Sequence, residues 1–139
     1  VSGRRKPVSA PRLITDIETA VRARLQATDK LESSARLLVE RNLKPVAGGY
    51  HWRSDPRLMW PSHSRAEEAT VRSWISSIQC PTLVVAADPP PEYFPTRLRE
   101  ERFACLQHGE MHVIKGTHHV HMDKPAEVAG FINAFWNKY

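Results

Sequence analysis

The stretch Gly116-Thr117-His118-His119-Val120-His121-Met122-Asp123-Lys124-Pro125 decides how this chain is read. It follows a short apolar run, Met111-His112-Val113-Ile114, and precedes an amphipathic segment from Ala126 to Trp136. That order reads as strand, loop and helix, with histidines at the carboxyl end of the strand, where open α/β sheets place their chemistry. An imidazole there can move protons near neutral pH, since its unperturbed pKa is about 6.5. A histidine-rich surface loop is the plainer reading. Gly116 before the pair, and Pro125 placed to open a helix, make the loop more specific than that.

Moving outward, Pro81-Thr82-Leu83-Val84-Val85-Ala86-Ala87 is a continuous apolar run rich in β-branched residues, the pattern of a strand buried on both faces. Asp88 ends it, and three prolines then forbid further regular structure. The spacing predicts a helix over 96–106, a second strand near 111–115 and a terminal helix over 125–138, with Val128, Phe131, Ile132 and Phe135 on one face. A strand, helix and parallel strand in sequence imply a right-handed crossover. Two such strands need neighbours to satisfy their backbones, so this half reads as the end of a larger doubly wound sheet.

The first half is helical in pattern. Apolar positions recur at helical spacing from Arg12 to Ala27, and Asp29 with Glu32 is placed to start a second helix running to about Arg41. Pro45, Gly48 and Gly49 end that pattern and open an irregular stretch, 50–61, that contains Tyr50, Trp52 and Trp60. Within it, Asp55-Pro56-Arg57 reads as a turn fixed by an Asp–Arg pair. Ser64 with Glu67 forms a capping-box pattern ahead of a third helix to about Ile78. The expected organisation is a basic lead-in over 1–11, a helical segment over 12–79 and a strand-helix-strand-helix unit over 80–139.

The totals fit one soluble domain: 139 residues, 41% hydrophobic and 25% charged. No apolar run approaches the roughly 20 residues that span a bilayer, and the basic amino terminus lacks the apolar core of a secretory signal. Two cysteines, Cys80 and Cys105, make no disulfide framework and fit the reducing cytoplasm. The net charge of +5 is concentrated early, with six bases against two acids in residues 1–25. Arg4-Arg5-Lys6 lies beside Pro7 and Pro11 without interleaved aromatic residues, so a solvated arm fits better than a nucleic-acid site. The chain opens on Val1, not Met, and is expected to be trimmed or part of a longer polypeptide.

Two strings in this order carry a resemblance. The ending CPTLVVAAD…HVIKGTHHVHMDKPAEVAGFINAFW resembles the carboxyl-terminal part of α/β-hydrolase-fold enzymes. The upstream SSARLLVERNLKPVAGGYHWRSDPRLMWPS resembles the tail of the cap domain in their serine hydrolase-like branch, near the epoxide hydrolases. Together they cover roughly residues 15–139. The resemblance implies an α/β fold, the carboxyl-terminal portion of a doubly wound hydrolase with a helical cap segment. It implies a hydrolase acting on an ester, epoxide or similar small apolar substrate, without a cofactor. Counting back from His121-Met122-Asp123-Lys124-Pro125, the family's catalytic histidine falls on His118, with His119 as the alternate. The orienting acid falls on Asp88, with Glu92 as the alternate; the family pattern sets the acid a residue or two beyond the strand, where this chain has Pro89 and Pro90.

The family's nucleophile stands on a Gly-x-Ser-x-Gly elbow or a relative of it, and these 139 residues contain none. The base, an acid and much of the cap are present; the nucleophile is not. The chain alone is therefore expected to be inactive. Its partner would be the amino-terminal half of the fold, or a second copy by self-association. The alternative is a catalytically inactive remnant or an interaction module that pairs with another polypeptide.

Tyr50, Trp52 and Trp60 either line an apolar substrate pocket or pack between cap and core. His118, His119, His121, His108 and His112 could be read as metal ligands. Zinc sites usually mix histidine with cysteine or carboxylate at set spacings, and neither cysteine falls near a histidine in such a frame, so no metal is expected. Cys80 and Cys105 read as small buried apolar residues, not nucleophiles.

Overall fold

The computed structural model describes residues 12–27, 31–60 and 65–139. They fall into two compact units, one within 12–60 and one within 65–139.

The first unit is a helix pair on a hairpin: α1 (Ile17–Ala27), α2 (Glu32–Asn42), β1 (Leu43–Val46) and β2 (Gly49–Trp52), then a 3-10 turn, Pro56–Met59. α1 starts later than its periodicity suggests because Asp16 caps it, accepting the Thr19 N–H at 2.7 Å. Asp29, expected to start α2, lies outside the described residues. Ala20 and Val21 of α1 pack on Ala35 and Val39 of α2 and on Leu43, with Tyr50 and Trp52 against this core.

The stretch after Pro45, expected to be irregular, pairs as an antiparallel hairpin from Leu43↔Trp52 to Val46↔Gly49. Two features allow it. Gly48 and Gly49 take positive φ of 81° and 152°, which reverses the chain within two residues. Ile14 then bonds both ways with Tyr50, N–H to O at 2.9 and 2.8 Å. Tyr50 thus turns both backbone groups away from its partner Pro45, and the proline's missing N–H costs the ladder nothing. Asp55 accepts the Arg57 N–H at 2.8 Å and pairs with the Arg57 guanidinium, forming the turn that the sequence suggests.

The second unit comprises α3 (Glu68–Ser76), β3 (Thr82–Asp88), α4 (Thr96–Phe103), β4 (Gly109–Lys115), α5 (Val120–Asp123) and α6 (Pro125–Trp136). The strands pair in parallel, Thr82↔Gly109 through Asp88↔Lys115, with α4 in the crossover. Glu67 occupies the N-cap of α3 in extended backbone without a side-chain cap bond, so it does not act as the third helical residue of a capping box. Ser64 lies outside the described residues. Ala87, Ile114, Val120 and Val128 form the core, flanked by Val85 and Phe131. Glu68 and Glu101 tie α3 to α4 through Arg72 and Arg102. That network lowers both carboxyl pKa values, Glu68 chiefly through Arg102 and Glu101 chiefly through Arg97.

β3 is less covered than its apolar run implies. Residues 82–86 are only partly buried, and Val113 on β4 is 48% exposed. A strand pair has too few neighbours to be enclosed on both faces. Among the described residues no helix is long and apolar enough to cross a membrane.

Candidate active site

Parallel pairing puts the ends of β3 and β4 side by side. Asp88 closes β3 opposite Lys115, and its carbonyl accepts the Gly116 N–H at 2.9 Å. The acid's loop and the histidine loop therefore leave the same edge of the sheet, where such folds assemble their sites. Gly116 has φ of 154°, and a Cβ there would stand 3.2 Å from Val120 Cγ1, so the sharp exit from β4 requires glycine. Beyond it, Thr117 Oγ1 donates to Asp123 Oδ2 at 2.5 Å and accepts the His119 N–H at 3.1 Å. Those bonds close the loop on itself and anchor it to the end of α5.

His118 projects from this loop and is exposed. Its Nε2 lies 2.9 Å from Tyr93 Oη, with the rings edge to face at 5.8 Å. The phenol donates when the imidazole carries its proton on Nδ1. Among the described residues neither the Asp88 nor the Glu92 carboxylate is hydrogen-bonded to His118. His119 is half-buried, and its ring stands 5.5 Å from that of His118 and 6.0 Å from that of His121. Tyr93 is absent from the sequence reading. Its one signal is position, since the proline-punctuated loop 89–95 leaves the same sheet edge as the histidines.

Behind the edge, buried Arg99 of α4 donates from Nη1 to the Ala87 carbonyl at 2.9 Å, beside Asp88. This residue too escapes sequence reading, where an arginine in a charged helix looks like solvated surface.

His112 belongs to packing. It stacks on Phe131 at 4.0 Å and meets Glu110 at 2.7 Å. Glu110 is held below the ordinary carboxylate range by Lys138 first and His112 second. No group of three histidine, cysteine or acidic side chains converges to hold a metal ion among the described residues.

Tyr50 and Trp52 pack against the core of the first unit. Trp52 also borders a concavity of about 400 Å³ there, which Tyr50 and Trp60 do not line.

No family model matches the chain. A serine hydrolase-like protein of Dictyostelium discoideum is 33% identical over 104 residues, which cover 68% of this chain and 29% of that protein. The crystal structure of a hypothetical protein from Pseudomonas aeruginosa PAO1 superposes with a TM-score of 0.80 at 33% identity, covering 93% of this chain and 46% of the other. A thioesterase domain from the curacin biosynthetic pathway superposes with a TM-score of 0.76 at 20% identity, over 93% and 47% of the two chains. The chain thus spans under a third of the curated relative and just under half of each solved chain. The strand-helix-strand-helix order and these likenesses agree: the chain has the α/β-hydrolase fold and spans a carboxyl-terminal portion of it.

Proposed function

We propose that this chain supplies the histidine loop of an α/β-fold hydrolase, with His118 as general base. Its substrate class is an ester, epoxide or similar small apolar molecule. The nucleophile comes from a polypeptide segment outside these 139 residues, and His118 activates it, or activates water in the second step. Asp88 is the orienting acid, with Glu92 as alternate. The observation that supports this reading is the Gly116 N–H to Asp88 carbonyl bond, because it sets the acid's loop beside the histidine's loop. Cys80 is exposed, not buried as expected, and Cys105 is half-buried; both are free thiols, which supports a cytoplasmic setting.

The test uses the chain joined to an elbow-bearing amino-terminal half. His118→Ala should lower hydrolysis of p-nitrophenyl esters by several orders of magnitude, and His119→Ala far less. Reversed effects would move the base to His119. Equal, small effects would remove the loop from catalysis.

The second reading, a module that pairs with another polypeptide, draws on exposed apolar side chains in the second unit: Trp74, Val113, Ile132 and Trp136. Light scattering on the purified chain tests it. Assembly, with itself or with the other half of the fold, supports the reading, and a cooperatively melting monomer of 15.8 kDa overturns it.

A further inference from the structure

The concavity of about 400 Å³ in the first unit carries an excess of positive charge. Arg24 of α1, Arg41 at the end of α2 and Arg53 after β2 line it together with Asn42, Leu38 and Trp52. Among the described residues no acidic side chain lines it. The described part of this unit holds eight bases against five acids, and most of those acids are already engaged. Glu18 and Glu32 pair with Arg36, and Asp55 pairs with Arg57. Asp16 accepts from Thr15 and Thr19. Neither Arg41 nor Arg53 forms an ion pair with a carboxylate among the described residues. Among the described residues Arg36, Arg57, Arg72, Arg97 and Arg102 each meet a carboxylate, and Arg12, Arg22, Arg65 and Arg99 do not.

Arg53 is also fixed in place. Its Nε donates to the Leu43 carbonyl at 2.9 Å and its backbone N–H to the Asn42 carbonyl at 2.7 Å, which closes the open end of the hairpin. A guanidinium anchored through Nε keeps its two terminal nitrogens for another acceptor. Such a fork matches the paired oxygens of a carboxylate or phosphate. The volume falls within the range of small-ligand sites, roughly 300–1,000 Å³.

We propose that this concavity is a binding site for a small organic anion. A carboxylate or phosphate monoester meets Arg41 and Arg53, and a flat or short apolar body lies along Trp52 and Leu38. The site is independent of the histidine loop and of the hydrolase reading.

Isothermal titration of the 139-residue chain tests it with three probes: phenyl phosphate, benzoate and neutral benzyl alcohol. At least one anion should bind saturably at sub-millimolar to low-millimolar concentration, more weakly as salt rises, while benzyl alcohol gives no saturable heat. Tighter binding of phenyl phosphate assigns the ligand as a phosphate ester, and tighter binding of benzoate as a carboxylate. Arg41→Glu, an exposed change outside the core, should weaken the anion tenfold or more. Arg41→Lys should restore most of the loss, and Arg22→Glu on the α1 surface should leave binding within twofold. Absence of saturable anion binding overturns the site. So does binding that is indifferent to Arg41→Glu, or equally sensitive to Arg22→Glu.

Discussion

Tyr93 Oη stands 2.9 Å from Nε2 of His118, on the nitrogen that a triad histidine turns toward its nucleophile. On the proposed role of His118, the phenol occupies the nitrogen that would face the attacking hydroxyl. Tyr93 is 72% exposed, so the bond is in water and is worth about 0.5–1.5 kcal/mol, weak enough for an incoming hydroxyl to displace.

Tyr93→Phe should therefore change the imidazole without harming the fold. In long-range nitrogen–proton spectra the His118 ring nitrogens should move, while those of His112, stacked on Phe131, should not. In the joined hydrolase the same substitution should leave turnover within about threefold. A loss as large as that of His118→Ala would make Tyr93 part of the reaction.

Asp55 gives a pH signature. Its carboxyl pKa is lowered to about 2, chiefly by the Arg57 guanidinium and then by the Arg57 backbone N–H. A depressed folded pKa contributes stability above the unfolded value, near 3.9, and that contribution fades as pH falls toward 2. Carbon-detected titration should place the Asp55 midpoint near 2 in the intact chain. In Arg57→Ala the midpoint should rise toward the ordinary value.

The two hairpin glycines should differ in cost. A Cβ on Gly49 would stand 2.3 Å from the Ile14 carbonyl oxygen, backbone that cannot move aside without breaking the Ile14–Tyr50 bridge. On Gly48 the nearest atom is Leu13 Cδ2 at 3.8 Å, leaving only the positive φ to oppose a side chain. Gly48→Ala should cost about 1–2 kcal/mol. Gly49→Ala should cost more and should speed amide exchange at Ile14 and Tyr50. Denaturant melts with hydrogen exchange check the order.

Arg99→Ala should destabilise the second unit. It removes a buried charged donor from the Ala87 carbonyl, a bond of a class worth about 1.5–3 kcal/mol. The Arg99 Nε finds no partner among the described residues, so relief of its burial offsets part of the loss. A urea midpoint at or above that of the parent chain would mean that desolvation outweighs the bond. In the joined hydrolase Asp88 would also be less well placed, and turnover should fall with stability.

Local pattern alone determined much of this protein. The run before Asp88 reads as a strand because it is short, carries the β-branched Thr82, Val84 and Val85, and is bounded by Pro81 and Pro89. The spacing of Val128 and Phe131 set the face of α6 that meets the sheet. Gly116 and Pro125 bounded the histidine loop, because one supplies a conformation other residues resist and the other opens a helix. These are short-range effects, carried by residues close in sequence.

Tertiary structure decided what depends on distant partners. The hairpin at 43–52 is braced by Ile14, 36 residues before Tyr50, which takes up the Tyr50 backbone groups that point away from Pro45. Tyr93 and His118 are separated by 25 residues and meet only because β3 and β4 run parallel and end together. Arg99 became a buried support because the crossover lays α4 behind β3, and Arg24, Arg41 and Arg53 share one concavity because two helices and a hairpin pack together. Pair energies of this kind depend on which chain segments are brought into contact, and that is a property of topology that no local spacing encodes.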